Sequence, residues 1–161
     1  MALLEPDMPA ERVEEMRLFM VDSESTDTVG VVAQPGAAEV LATLPPDRVA
    51  IVTSGGVRLA SSRIAAAGLP TPAVVVTADD VSVGKPDPAP YLMGAKLLGF
   101  PPERCLVVED APAGVISAKA AGCPVIGVLT THTALDAPSV TSLDQVTFTP
   151  VDGGIEVSIP G

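Results

Sequence analysis

The stretch Arg104–Gly114, RCLVVEDAPAG, decides the fold of this chain. An apolar, mostly branched run, Cys105–Val108, ends in two adjacent acids, Glu109 and Asp110, and then in a turn of small residues. A run this continuously apolar suits a strand covered on both faces, as in a parallel sheet. Three further runs share its character, at Val49–Val52, Ala73–Thr77 and Pro124–Leu129. Between the runs lie Ala-rich stretches, Val57–Ala67, Pro88–Leu98 and Ala113–Ala121, each followed by a glycine: Gly68, Gly99 and Gly122. Glycine just past a helix adopts the left-handed C-cap conformation without a Cβ clash. Strand and helix therefore alternate, which predicts an α/β fold with a parallel sheet and right-handed crossovers.

Outward from this centre, Pro35-Gly36 opens a shorter helix over Ala37–Leu44. Residues 9–20 read as a separate helix with Val13, Met16, Leu18, Phe19 and Met20 as its apolar members. The polar stretch Asp22–Gly30 reads as a linker. At the other end, VTFTPVDGGIEVSI holds two alternating runs around Asp152-Gly153-Gly154, the signal of a β-hairpin. There is no internal repeat and no low-complexity segment.

Composition limits the function classes. At 161 residues the chain is long enough for one domain with a real core. Hydrophobic residues reach 47% but aromatics only 2%, so Val, Ala, Leu and Ile must build that core. A net charge of −11 argues against nucleic acid and against an anionic membrane surface, both of which select basic partners. No apolar run approaches the roughly 20 residues of a membrane-spanning helix. The acidic start, MALLEPDMPAERVEE, lacks the basic, then apolar, pattern of a secretory leader. Cys105 and Cys123 lack metal-ligand spacing and read as two buried thiols. A cytoplasmic location is therefore the expectation.

Open parallel sheets bind ligands outside the carboxyl ends of their strands. After the first run comes Thr53-Ser54-Gly55-Gly56, a hydroxyl and successive amides entering a helix, which is the make-up of an anion nest. Gly84-Lys85-Pro86-Asp87-Pro88 comes some way after the second run and brings a lysine into a rigid loop. Glu109 and Asp110 come directly after the third. Each feature alone has a plainer reading: Thr53 and Ser54 as helix N-caps, Lys85 as a solvated loop cation, Asp87 as a cap, and the acid pair as a loop start. Together they place anion contacts beside a hard-cation site on one sheet edge, which is what magnesium-assisted phosphoryl transfer needs. His132, following the last core strand, reads as a solvated loop residue or as lining the site mouth, Asp79 and Asp80 as loop residues, Tyr91 as packing its helix against the sheet, and Glu11–Glu15 as a solvated helix face.

AIVTSG, GKPDPAPY and CLVVEDAPAG followed by AKAAG resemble motifs two, three and four of the haloacid dehalogenase superfamily, closest to its capped sugar- and polyol-phosphate phosphatases. The resemblance runs from about Val29 to Val128. It implies a Rossmann-like three-layer parallel sheet with a mobile helical cap, Mg²⁺ as cofactor and a small phosphorylated metabolite as substrate. By the same resemblance Thr53 would bond the transferring phosphoryl group, helped by the amides of Ser54 and Gly55. Lys85 would neutralise phosphate and nucleophile charge, and Glu109 and Asp110 would position Mg²⁺.

The family's aspartate nucleophile, in a D-x-D-G loop, has no counterpart in the 161 residues. The nearest imitation is FMVDSES, which makes Asp22 a candidate nucleophile by position only, and its neighbours suit a helix. Residues 1–28 are expected to be a cap remnant and linker, and residues 29–161 a core domain lacking its first strand. The resemblance puts that strand mid-sheet, between the strands ending at Thr53 and Glu109. The sheet should then close the gap, stay split, or take a strand from a partner chain or a second copy. The leading expectation is an incomplete phosphatase, with coding sequence upstream of Met1 continuing into D-x-D-G. The alternatives are a non-catalytic phosphate- or Mg²⁺-binding subunit and a β-phosphoglucomutase-like mutase, which needs the same aspartate.

Overall fold

The structure, a computed structural model, describes residues 8–159. The reading of the first seven residues as part of a leaderless start lies outside them. Five helices, seven strands and short 3-10 turns appear in chain order: α1 (Ala10–Thr26), α2 (Ala37–Thr43), β1 (Ala50–Val52), α3 (Val57–Ala66), β2 (Val74–Val76) and α4 (Ala89–Leu98). Then come β3 (Val107–Glu109), α5 (Pro112–Ala120), β4 (Val125–Val128), β5 (Ser139–Val140), β6 (Thr147–Val151) and β7 (Gly154–Ser158). The expected alternation is present. Gly68, Gly99 and Gly122 all take positive φ at helix ends, as a left-handed cap requires.

The parallel layer is split in two. β1 pairs with β2 in one half, and β3, β4 and β5 form the other in that order, all parallel. Among the described residues no strand lies between β1 and β3, so of the three outcomes expected for the slot the sheet stays split. β5 is unexpected, because two residues with no apolar run carry no strand signal in sequence.

Pleating decides which layer each residue meets. Val52, Val107 and Val125 point to one face, where they pack with Tyr91 of α4, Ala118 of α5, and Ala121 and Cys123 in the turn after α5. This cluster spans both half-sheets and holds them together across the slot. Gly94 lets α4 press on β1, since a Cβ there would meet Val52 Cγ2 at 3.1 Å. On the opposite face Ile126, Val128, Val140 and Val146 form a second cluster, with Phe148 and Val157 of the β6–β7 hairpin packed against it. The hairpin turns on Asp152-Gly153, with positive φ at Gly153 but not at Asp152, the sign pattern of a type II turn rather than of the primed hairpin turns. Arg104 ties it down through a 2.9 Å bond to the Gly153 carbonyl.

α1 differs from its expectation. It runs through the predicted linker as far as Thr26. The polar residues there are satisfied within the helix: Ser25 and Thr26 hydroxyls donate to the Val21 and Asp22 carbonyls four residues back. α1 also lies against α3, where Arg58 meets Asp22 at 2.7 Å and Arg63 donates to the Glu24 carbonyl. Phe19, Met20 and Leu18 remain exposed on it.

Candidate active site

β1 ends at Val52, and its ladder sets the polarity of the slot. The Thr53 amide donates to the Val76 carbonyl of β2. Alternation along a parallel strand then turns the Val52 amide and carbonyl the other way, into the slot. On the far side the Val107 amide donates to the Pro124 carbonyl beside β4, so the peptide groups of Val108 face the slot too. The Lys85 side chain reaches this opening. Its ammonium donates to the Val52 carbonyl at 3.1 Å and to Glu109 Oε1 in a short, buried ion pair. One cation therefore links the carboxyl ends of the two half-sheets.

The loop that carries Lys85 is held from both sides. Asp87 Oδ1 accepts the Ala89 amide and closes the turn into α4. The fully buried Ser117 hydroxyl of α5 donates to the Asp87 carbonyl at 2.6 Å.

Glu109 is 8% exposed and has four donors. Lys85 and the Tyr91 hydroxyl share Oε1, and the amides of Asp110 and Ala111 share Oε2. Burial alone would push its pKa up, but these donors and the Lys85 charge outweigh it and hold the carboxyl below its ordinary value. Gly114 completes the cradle, because a Cβ there would run into the Glu109 carboxylate. The Asp110 side chain is exposed, and Thr130 donates to its Oδ2 at 3.2 Å. The Asp110 carbonyl takes the Thr131 hydroxyl and stands 3.2 Å from His132 Nδ1. His132, read either as a solvated loop residue or as lining the site mouth, thus stands against Asp110.

The structure brings Thr53, Lys85, Glu109 and Asp110 to one edge but gives the anion nest an unexpected tenant. The Gly55 amide donates to Thr53 Oγ1 at 3.1 Å, within the loop itself. The Val57 amide, at the start of α3, donates to Asp79 Oδ2 at 2.8 Å. Asp79, 22 positions downstream, thereby caps α3; nothing local marks it as a cap. Asp80 forms a capping box with the buried Thr77, whose bonds lower the Asp80 pKa. The reading of both as plain loop acids is corrected. Asp22, a candidate by position only, lies within α1, ion-paired and 60% exposed, as the helical character of its neighbours suggested, and does not follow a strand. Both thiols are free, and burial pushes Cys123 up to about 11.

A family model for haloacid dehalogenase-like hydrolases matches residues 11–122, most of the chain. The chain belongs to this family. It is 50% identical over 125 residues to hexitol phosphatase A of Escherichia coli, covering 76% of this chain and 56% of that protein. Glycerol-1-phosphate phosphohydrolase 2 of Saccharomyces cerevisiae is 41% identical over 107 residues, 60% of this chain and 43% of that protein. A hydrolase from Pseudomonas syringae superimposes with a TM-score of 0.75 at 31% identity, covering 86% of this chain and 68% of that one. The chain spans about half the length of the curated relatives it matches.

Proposed function

We propose that these residues form the phosphate- and metal-handling edge of a magnesium-dependent phosphatase for a small sugar or polyol phosphate. The observation that carries the reading is the Lys85 ammonium, set between the Val52 carbonyl and the Glu109 carboxylate at the mouth of the slot. A fixed cation there opposes charge building on a transferring phosphoryl group. The Thr53 hydroxyl, next along from β1, is the neutral partner to that phosphate. The names of the relatives, a hexitol phosphatase and a glycerol-1-phosphate phosphohydrolase, support a polyol phosphate.

The donor set fits magnesium, which takes one or two carboxylates and leaves its other positions to water and phosphate. Asp110 is the carboxylate exposed to take it, while the oxygens of Glu109 are already engaged by four donors. Bound there, the ion would neutralise phosphate charge. The nucleophile would come from outside the described strands, on a further parallel strand entering the slot between β1 and β3. Its donor would be a partner chain or other sequence, since a second copy of this chain also lacks D-x-D-G, and its carboxylate would stand beside Lys85. In this reading residues up to 28 belong with a cap, residues 29–161 with the core, and the setting is cytoplasmic.

A second reading, a non-catalytic phosphate-binding subunit, is favoured by the absence of D-x-D-G from the sequence. The test gives the purified chain, with and without an added strand segment carrying D-x-D-G, Mg²⁺ with p-nitrophenyl phosphate and a panel of sugar and polyol phosphates. Turnover that Lys85→Met abolishes supports the phosphatase. Magnesium-dependent phosphate binding without turnover, even with that segment added, supports the second reading. If Asp22→Asn alone abolished turnover, the nucleophile would lie within α1 and the strand-entry proposal would fall.

A further inference from the structure

Tyr91 is the only tyrosine of the chain and is 7% exposed. Sequence makes it a packing residue of α4, and it does join the core cluster under the sheet. Packing does not account for its two polar contacts. Its hydroxyl donates to Glu109 Oε1 at 2.6 Å, the oxygen that also receives Lys85. Its ring lies under the same ammonium, with Lys85 Nζ 4.7 Å from the centroid, within the range of a cation–π contact. One side chain therefore touches both members of the buried ion pair.

We propose that Tyr91 is a positioning residue for the phosphate site: its ring seats the Lys85 ammonium and its hydroxyl restrains the Glu109 counter-ion. Without the hydroxyl, Oε1 has a single donor besides any that move in, and the carboxylate draws Lys85 onto itself. With it, the carboxylate is held on two sides, and the ammonium keeps its contact with the Val52 carbonyl at the slot mouth. A phenylalanine would fill the same space and keep the ring under the cation, so the hydroxyl is separable from packing. The inference rests on the phosphate-site reading above for its consequence, but its geometry is independent of it.

The chain itself supplies the probes. With one tyrosine and no tryptophan, its ultraviolet emission reports Tyr91 alone. A phenol bonded to a carboxylate is quenched, so Glu109→Gln should brighten the emission. In proton spectra the ε-methylene of Lys85 should lie upfield of those of Lys96 and Lys119, because only Lys85 of the three sits over a ring. Tyr91→Phe should keep that upfield position but shift the resonance detectably. Its affinity for inorganic phosphate with Mg²⁺ should fall by about tenfold, the order of one hydrogen bond to a charged group. A Phe variant with unmoved Lys85 resonances and wild-type phosphate affinity would overturn the proposal, whatever its melting temperature. If the wild type binds no phosphate, the phosphate-site reading fails by itself, and the Lys85 resonance of Tyr91→Phe decides: moved supports the positioning role, unmoved overturns it. If the variant does not fold, the wild-type measurements decide: unquenched emission or a Lys85 methylene level with the other two overturns it.

Discussion

Gly114 and Lys85 both abut the Glu109 carboxylate, and both make it testable residue by residue. In an ordinary exposed helix, glycine to alanine stabilises by about 0.5–1 kcal/mol. At Gly114 the sign reverses, because the new Cβ would occupy the space of the Glu109 carboxylate. Gly114→Ala should cost about 1–3 kcal/mol in urea unfolding, the usual penalty of overpacking a filled site. Lys85→Met leaves Glu109 buried without its cation and should cost about 3–5 kcal/mol near neutral pH. The pH dependence has a definite sign. Glu109 in the native chain is held below its ordinary 4.5, so its contribution is complete above that value and is lost as pH falls through the lowered one. In the variant only burial and the weaker donors remain, and protonation relieves the buried charge. The stability gap between the two proteins should therefore narrow as unfolding is measured from about pH 7 down to about pH 3.

At the scale of elements, helix ends show how far local rules reach. The C-terminal glycines of α3, α4 and α5 are legible because a left-handed cap needs only the residue that occupies it. The N-terminus of α3 is not, since its carboxylate arrives from Asp79 on the turn after β2. Asp79→Ala should lower stability by about 1 kcal/mol by thermal unfolding, the worth of an N-cap. Arg58→Ala, which removes only the exposed pair with Asp22, should change it by under about 0.5 kcal/mol. α1 shows the same limit in reverse. The polarity of Asp22–Gly30 suggests a linker, but side-chain bonds back to the helix carbonyls, and Arg58 and Arg63 from α3, sustain the helix to Thr26.

For the whole molecule, the split sheet governs dynamics. The Val52 and Val108 amides face the slot, whereas those of Thr53 and Val107 are bonded to β2 and to the Pro124 carbonyl. Hydrogen exchange should be faster at Val52 and Val108 than at Thr53 and Val107, and a strand entering the slot should slow the first pair selectively. Unpaired strand edges are also templates for association. A cavity of about 340 Å³ lies between β1 and α3, lined by Ile51, Leu59, Ala60 and Ile64 together with the polar Glu24, Thr53 and Arg63. Equal exchange at all four amides would show that the slot is closed in solution.

Sequence by itself determined the strand–helix alternation, the glycine caps, the hairpin and the residues of the carboxyl edge. These depend on periodicity, backbone freedom and the rule that parallel strands deliver their ligands at one end, all of which are written locally. The resemblance of its motifs also named the family. Only the tertiary structure decided that the sheet stays split, that Lys85 links its halves, and that Glu109 is engaged on both oxygens while Asp110 stays exposed. It alone showed Asp79 at the head of α3 and Tyr91 against both Lys85 and Glu109. Those facts rest on groups 18 to 33 positions apart meeting in space, and no local pattern encodes a distance that only packing creates.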